Sequence, residues 1–231
     1  MHVLVTGGNR GLGLEFVRQY LQRGAHVHAC CRHPAQASAL NRLAAEHPGH
    51  LNVLPLDVSR PASIQALRAG LDLLTDRLDR LVNNAGMLVR GERFGGLDAG
   101  EMLRSYQVNA VGPVLLVQAC AGLLERGRNA RVANITSGLG SISLVDGFHT
   151  PSYNASKAAL NMWTRLLAQA LNPRGVLCFA LSPGWVRTDM GGAQAPLSAA
   201  ASVASLIDLF ENATADDQAS LLDHAGGRMP W

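Results

Sequence analysis

The stretch VLVTGGNRGLGL, residues 3–14, decides the fold class. It combines a short β-branched run, a glycine-rich turn from Thr6 to Gly13 and the start of an amphipathic segment. Glycine in such a turn lets the backbone approach a pyrophosphate, and a helix amino terminus adds free N–H groups and a partial positive charge. Glycine also occurs in strand–helix turns for steric reasons alone. Its position between a first strand and an amphipathic helix favours a dinucleotide-binding site.

Strand-like and helix-like apolar patterns alternate along the rest of the chain. Short apolar stretches predict strands at residues 3–5, 26–31, 51–56, 81–82, 130–135, 176–181 and 221–222. Helical spacing predicts helices at residues 14–23, 35–46, 62–78, 101–124, 156–171 and 197–210. Such alternation is typical of βαβ units. We therefore expect one α/β domain of Rossmann type over residues 1–231, a doubly wound seven-stranded parallel sheet with helices on both faces and a ligand crevice at the carboxyl ends of the strands.

The composition is that of a globular protein with one sizeable core. Of 231 residues, 48% are hydrophobic and 16% charged, and the formal net charge is +3 with scattered arginines, which argues against a nucleic-acid or membrane-surface partner. No apolar run approaches the length that spans a bilayer, so we expect no membrane insertion. The four cysteines form no CxxC pair, and Met1-His2 leads directly into the first strand. These patterns predict no metal site and a reducing, cytoplasmic setting.

A candidate acid–base pair lies at Tyr153 and Lys157, one helical turn apart on the same face. A phenol is a poor acid–base group at neutral pH because its ordinary pKa is about 10. A neighbouring ammonium favours the phenolate, so Lys157 is expected to lower the pKa of Tyr153 and to orient a ribose. Surface pairing is the alternative. Lys157 is the only lysine among 20 basic residues, and the compact charge of lysine favours the catalytic interpretation.

Two further polar residues are candidates for the same site. Ser137 follows the fifth strand and is placed to hydrogen-bond a substrate carbonyl oxygen, with Ser141 and Ser143 as competing choices or simple turn residues. Asn109 lies inside a predicted helix without a capping position to explain it. It could hold a water against Lys157 and complete a proton path, or it could be a buried structural amide.

The ordered motifs resemble the short-chain dehydrogenase/reductase family over nearly the whole chain. The glycine turn has the spacing TGxxxGxG, and NNAG at residues 83–86 ends the fourth strand. Residues 9–17, 156–162, 183–192 and 229–231 are similar to the C-factor (C-signal) branch, which is related to the Sniffer-type carbonyl reductases. The residues at family motif positions are Gly7, Gly11, Gly13, Asp57, Asn83, Ala85, Gly86, Asn109, Ser137, Tyr153, Lys157, Pro183, Gly184 and Thr188.

The resemblance also bears on the choice of nicotinamide cofactor. NAD enzymes of the family place an acid eighteen residues after the last glycine, and that position is Cys31 here. Arg32 follows it, and Arg10 lies in the glycine turn, where NADP-preferring relatives carry basic residues. Arg10 and Arg32 could each be a solvated surface arginine. That alternative does not explain why the acid is also missing at position 31, so NADP(H) is predicted. Two roles remain open for Asp57: it could accept a hydrogen bond from the adenine amino group, or it could cap the next turn. The predicted cofactor-binding residues are Gly7, Asn9, Arg10, Gly11, Leu12, Gly13, Arg32, Asp57, Val58, Asn83, Ala85, Gly86, Tyr153, Lys157, Pro183, Gly184, Val186 and Thr188.

The crevice loops predict an apolar substrate wall. Trp185 could be part of it or a core aromatic, and His149 could touch substrate or lie exposed in its loop. Ser141, Leu144, Trp185 and Met190 are the substrate candidates, in a wider set of Leu88, Ser141, Leu144, Val145, Phe148, His149, Trp185 and Met190. Residues 101–124 and 156–171 could pair across a two-fold axis as a homodimer, as in many relatives.

The resemblance implies an NADPH-dependent oxidoreductase that reduces an aldehyde, ketone or quinone to an alcohol. Ser137, Tyr153, Lys157 and Asn109 would be its catalytic residues, with Tyr153 as the general acid. Two alternatives stay open. One is an NADP-binding signalling or regulatory protein of C-factor type with little turnover, and the other is an NAD-linked dehydrogenase of a sugar or steroid.

Overall fold

An eight-stranded sheet organises the structure, a computed structural model that describes residues 1–218 and 220–231. Its strands are β1 (His2–Thr6), β2 (His26–Cys31), β3 (Leu51–Pro55), β4 (Arg80–Asn83), β5 (Arg131–Ile135), β6 (Leu177–Ser182), β7 (Leu221–Asp223) and β8 (Arg228–Met229). Their spatial order is β3-β2-β1-β4-β5-β6-β7-β8. The seven predicted parallel strands are confirmed. The prediction missed β8, which pairs antiparallel with β7, because two residues carry no readable alternation.

In the part of the chain that the structure describes, seven α-helices connect and cover the strands. They are α1 (Gly11–Gln22), α2 (Ser38–Glu46), α3 (Pro61–Asp72), α4 (Ala99–Tyr106), α5 (Gly112–Glu125), α6 (Pro151–Leu171) and α7 (Ala199–Asn212). The predicted helix 62–78 was too long, since α3 ends at Asp72. The predicted helix 101–124 is α4 and α5 joined by a π-helical turn, Gln107–Val111. Helix α6 begins five residues before the predicted 156, so Tyr153 lies in its first turn.

The core consists of two apolar layers, one on each face of the sheet. One layer packs α1, α2 and α7 against the strands and includes Phe16 and Phe210; the other packs α3, α5 and α6 and includes Ile64 and Leu116. Successive strand residues alternate between the layers, as a pleated strand buried on both faces requires. The neighbours Cys30 and Cys31 accordingly belong to different layers.

The α4–α5 helix meets the length criterion for a membrane span. Within residues 1–218 and 220–231, Ala99–Glu125 is the one helix that is long and apolar enough, with a mean hydropathy of 1.5 over 18 residues. Half of that window is buried inside the protein, and the buried core helix of a globular protein has the same composition. The expectation that no apolar run approaches spanning length is therefore corrected for this helix.

Buried arginines at the amino-terminal edge of the sheet form hydrogen bonds with helix α7. Arg80 begins β4 and donates from Nε to Oε1 of Glu211 on α7 at 2.9 Å. Arg131 begins β5 and donates to the carbonyl oxygens of Phe210 and Ala213 at 2.7 and 2.6 Å, at the end of α7. The arginines are 5% and 6% exposed. They join the strands to a helix carboxyl terminus, where positive charge is favourable.

Four histidine rings stack at the same edge. The ring centroids of His2 and His26 lie 5.1 Å apart, those of His26 and His50 4.5 Å apart, and those of His2 and His28 5.8 Å apart. The interplanar angles are 13°, 11° and 16°. Burial, followed by the charges of His2 and His26, lowers the pKa of His28 to about 4. Burial therefore favours the neutral form of the His28 ring.

Candidate active site

The turn between β1 and α1 is a glycine cradle. Gly7 and Gly11 have positive φ angles of 66° and 54°. A Cβ on Gly13 would lie 2.1 Å from the Gly7 carbonyl oxygen, so only glycine fits there. Arg10, which precedes α1, makes no side-chain capping hydrogen bond. Close backbone approach and a helix amino terminus without a side-chain cap together fit a pyrophosphate.

Asn84 ties the cradle to the end of β4. Its Nδ2 donates to the Thr6 carbonyl oxygen at 2.9 Å, and Thr6 Oγ1 accepts from the amides of Asn84 and Ala85 at 3.0 and 2.9 Å. Strands β1 and β4 are neighbours, and the chain order reverses between them. This reversal is the switch point at which doubly wound sheets bind ligands. The cradle therefore opens at the expected ligand crevice.

Asn83 turns its side chain into the protein. Its Nδ2 donates to Oδ1 of Asn134 at 2.8 Å, and Nδ2 of Asn134 donates to Thr164 on α6, also at 2.8 Å. All three side chains are buried. They pin β4 and β5 to α6, so the predicted cofactor contact of Asn83 is not available to its side chain.

Tyr153 and Lys157 lie on successive turns of α6, with Nζ of Lys157 5.7 Å from the centroid of the Tyr153 ring. Lys157 is 4% exposed and donates to the carbonyl oxygen of Ile135, the last residue of β5, at 2.7 Å. A Cβ on Gly86 would lie 3.8 Å from the same Nζ. The pair is therefore at the carboxyl edge of β4 and β5, beside the cradle.

The pKa values of Tyr153 and Lys157 move apart. Burial raises the pKa of Tyr153 to about 12, while a hydrogen bond with the Ser137 side chain acts to lower it. Burial lowers the pKa of Lys157 to about 8. The prediction that Lys157 lowers the phenol pKa is not met in this geometry, because burial outweighs other influences on the phenol and Nζ donates to Ile135. At neutral pH the phenol keeps its proton and Lys157 stays mostly charged.

Ser137 is the serine beside the phenol. It is half-buried after β5, and its Oγ accepts from the amide of Leu139 at 3.1 Å. Ser141 is 1% exposed and its hydroxyl is enclosed without a hydrogen-bond partner. The predicted substrate contact of Ser141 is therefore corrected. The Ser143 hydroxyl donates to Trp231 at 2.7 Å, so both competing choices are set aside.

Asn109 lies in the π-helical turn and is fully buried. Its Oδ1 accepts from the amide of Met87 at 2.8 Å, and its Nδ2 donates to the Met87 carbonyl oxygen and to Ser156 Oγ, each at 2.9 Å. These contacts fasten the loop after β4 to α6. These contacts fit the second alternative from the sequence, a buried structural amide.

The ends of β2 and β3 form a positively charged corner. Oδ1 of Asp57 accepts from the amide and the hydroxyl of Ser59 at 3.0 and 2.6 Å, so Asp57 caps its turn. Burial acts to raise the pKa of Asp57, but the bonds from Ser59 and the charges of Arg32 and Arg60 hold it below its ordinary value. Val58 is buried. Arg32 is exposed next to this corner, where the predicted contact with a 2′-phosphate requires it.

The loop after β6 closes against the cradle. Arg10 forms an exposed ion pair with Asp189 at 3.0 Å, and a Cβ on Gly11 would lie 3.6 Å from Cγ2 of Thr188. Nη2 of Arg90 donates to the carbonyl oxygens of Asp189 and Met190, each at 2.9 Å. Thr188 thus lies beside the glycine cradle, whereas Arg10 is paired with Asp189 across the crevice. The other predicted cofactor residues differ in exposure. Asn9 is exposed, whereas Leu12, Ala85 and Pro183 are half-buried. Gly184 has a φ of 75°, and the side chain of Val186 is buried, so only the backbone of Val186 could contact a cofactor.

Apolar side chains border the mouth of the crevice. Trp185 is 58% exposed, which excludes the core interpretation, and its Nε1 donates to the Gly191 carbonyl oxygen at 2.7 Å. Phe148 meets Phe94 edge-to-face, with centroids 5.8 Å apart. His149 is exposed, as its loop alternative predicted. The remaining candidates are half-buried Leu88 and exposed Leu144, Val145 and Met190.

Glu92 is a site residue that the sequence did not reveal. Its carboxylate accepts from the amide of Ser152 at 3.3 Å and from the Ser152 hydroxyl, in the first turn of α6 immediately before Tyr153. A negative charge is favourable at a helix amino terminus. The contact joins residues 60 positions apart, one in a loop and one at the start of a helix, so no local pattern could have indicated it. Among residues 1–218 and 220–231, no group of three or more histidine, cysteine or acidic residues could hold a metal ion.

Comparisons with known proteins agree with this geometry. The family model described as short chain dehydrogenase matches residues 1–197. The chain is 35% identical to C-signal of Myxococcus xanthus over 160 residues, 69% of this chain and 96% of that protein. It resembles the NADPH-bound carbonyl reductase from chicken fatty liver, with 36% identity, a TM-score of 0.94 and coverage of 100% and 98%. The carbonyl reductase Sniffer of D. melanogaster has 31% identity, a TM-score of 0.95 and coverage of 100% and 99%.

Proposed function

Because this chain belongs to the short-chain dehydrogenase family, we propose that it is an NADPH-dependent oxidoreductase that reduces the carbonyl group of a small molecule to an alcohol. An aldehyde, ketone or quinone with an apolar body suits the crevice mouth. One observation carries the proposal: a phenol and a buried ammonium lie one turn apart on α6, beside a glycine cradle at the switch point of the sheet. Two solved relatives are carbonyl reductases, one of them NADPH-bound.

Tyr153, Ser137 and Lys157 have different roles in the proposed reduction of the carbonyl group. When bound, NADPH supplies a hydride for the carbonyl carbon. Tyr153, whose pKa burial raises to about 12, keeps its proton at neutral pH and donates it to the carbonyl oxygen as negative charge develops there. Ser137 donates a hydrogen bond to the same oxygen. The Lys157 ammonium donates one hydrogen bond to the Ile135 carbonyl oxygen and has two donors left, with which it would orient the ribose of the bound nucleotide.

The cofactor preference rests on the corner at the ends of β2 and β3. The buried thiol of Cys31 stands where an acid would select NAD, and Arg32 is exposed beside it. A guanidinium suits a 2′-phosphate because it offers paired donors and a permanent charge. The glycine cradle and Thr188 would hold the pyrophosphate side. Asn109 supports the site by fixing the loop at Met87.

The direct test is an NADPH-consumption screen of the purified protein over aldehydes, ketones and quinones, with NADH in parallel. We expect turnover of apolar carbonyl compounds with NADPH and little with NADH. Binding of NADPH without oxidation by any carbonyl compound would instead support the signalling alternative, to which the similarity with C-signal points. Preference for NADH would support the NAD-linked dehydrogenase.

Assembly and location complete the proposal. All described strands belong to one sheet, and we propose that residues 1–231 form one dinucleotide-binding domain. Exposed apolar side chains of Leu103 on α4 and of Met162 and Leu166 on α6 would be covered in a homodimer that pairs these helices. Sedimentation of a variant with Leu103→Asp and Leu166→Asp tests this arrangement. Four buried free thiols suit a reducing, cytoplasmic location.

A further inference from the structure

The segment Met229–Trp231 lies against the loop that carries Ser137. Strand β8 leads into it after a tight turn from β7. Oδ1 of Asp223 fixes this turn by accepting from the amides of Ala225 and Gly227 at 2.9 and 2.8 Å. The segment therefore leaves the sheet from a defined point.

Two contacts join the segment to the loop. A Cβ on Gly138, the residue after Ser137, would lie 2.9 Å from Cε of Met229, so the methionine side chain occupies the space that glycine leaves. Ser143 donates from its backbone amide and its hydroxyl to the Trp231 carbonyl oxygen, at 2.9 and 2.7 Å. The loop from Gly138 to Ser143 is thus held at both of its ends.

The segment is itself fixed to the body of the protein. Nη2 of Arg228 donates to Oδ1 of Asp217 at 3.0 Å and to the Asp216 carbonyl oxygen at 2.9 Å. The guanidinium of Arg165 on α6 lies over the Trp231 ring, 5.6 Å from its centroid. A cation over an indole face is attracted to it. These anchors let the segment impose a position on the loop rather than follow it.

The loop has little packing of its own on the solvent side. Leu139, Ile142 and Leu144 are 49%, 76% and 48% exposed. Segments with few buried contacts open locally at low free-energy cost. The hydrogen bonds of Ser143 are therefore needed to keep the substrate side of the loop in one arrangement.

We infer that Met229 and Trp231 are positioning residues, which hold residues 138–144 so that the Ser137 hydroxyl stays beside Tyr153. Neither residue touches the cofactor cradle or the reacting groups. The catalytic part of this inference rests on the proposed carbonyl reduction. The mechanical part, that the segment restrains the loop, stands on the contacts alone.

The test compares the double variant Met229→Ala/Trp231→Ala with Trp231→Phe and with Leu73→Ala, a truncation of an 87% exposed side chain after α3. A displaced hydrogen-bond donor costs turnover more than cofactor binding, so kcat/KM for a carbonyl compound should fall by about 10-fold in the double variant. Most of the fall should appear in kcat, while the NADPH Kd stays within about twofold. Trp231→Phe should retain most activity, and Leu73→Ala all of it.

Hydrogen–deuterium exchange supplies a readout that does not depend on turnover. Residues 138–149 should exchange faster in the double variant, with protection of α1 and β1 unchanged. If this stretch exchanges as in the wild type, or if kcat is unchanged, the inference is wrong. A uniform rise in exchange with weaker NADPH binding would also overturn it, since the segment would then be merely structural. If no carbonyl compound is reduced by the wild type, the proposed function fails while exchange still decides the restraint.

Discussion

The two edges of the same sheet use polar residues in opposite ways. At the amino-terminal edge, Arg80 pairs with Glu211, and Arg131 donates to carbonyl oxygens at the end of α7. At the carboxyl edge, Tyr153 and Lys157 lie close together beside the glycine cradle. Parallel strands produce this asymmetry, because loops and helix amino termini gather at the carboxyl ends. The first edge should therefore control stability, and the second should control chemistry.

The largest effect should come from removing the phenol hydroxyl. Tyr153→Phe deletes the proposed general acid but keeps the ring, so kcat should fall by on the order of 10³–10⁴, or about 4–5 kcal/mol of barrier. NADPH binding and the free energy of unfolding should change little. Steady-state kinetics and denaturant unfolding of the same preparation check both. Retained turnover would show that Tyr153 is not the general acid. It would also contradict the assignment of the chemistry to this pair at the carboxyl edge.

Glu211→Ala removes the ion pair with Arg80 at the amino-terminal edge. It leaves the buried Arg80 side chain without its carboxylate, which should cost about 3 kcal/mol of unfolding free energy. Asp208→Ala is the matched control, because the ion pair of Asp208 with Arg23 is exposed and should be worth at most about 1 kcal/mol. Chemical denaturation measures both. Equal losses of unfolding free energy in the two variants would show that the buried Arg80–Glu211 pair contributes no more to stability than the exposed Arg23–Asp208 pair.

Acid should destabilise the protein through buried His28. The pKa of His28 is about 4 in the folded protein against an ordinary 6.5, so the unfolded chain binds a proton that the folded chain refuses between these values. Stability due to His28 is therefore present above pH 6.5 and is lost as the pH falls toward 4, by about 2 kcal/mol at pH 5. His28→Gln should flatten this dependence, while exposed His149→Gln should leave it as in the wild type. Unfolding free energies at pH 5 and pH 8 give the comparison.

The smallest of these effects concerns cofactor choice. Arg32→Ala should weaken NADPH binding by about 10-fold and leave NADH binding unchanged, because the lost partner is the 2′-phosphate. Arg42→Ala on α2 removes an equally exposed arginine away from the corner. Fluorescence titration with both nucleotides distinguishes the two. Equal weakening by both variants would reduce Arg32 to a general contribution to the surface potential.

The sequence predicted what local patterns determine. The glycine cradle, the seven parallel strands and the Tyr153–Lys157 pair all follow from spacing within a few residues. It failed where partners are distant in the chain. Glu92 at the first turn of α6, the enclosure of Ser141 and the Arg10–Asp189 pair depend on packing between loops. The pKa of Tyr153 was predicted in the wrong direction, since the sequence shows a neighbouring charge but not the burial that outweighs it.

The solitary lysine has a practical consequence. A protease that cleaves after lysine has one target bond in this chain, and the structure places it on α6 within the site, with the side chain 4% exposed. Cleavage under native conditions then requires that turn of helix to unwind. The digestion rate would report directly how often the site opens, and a bound nucleotide that braces the helix would slow the cut.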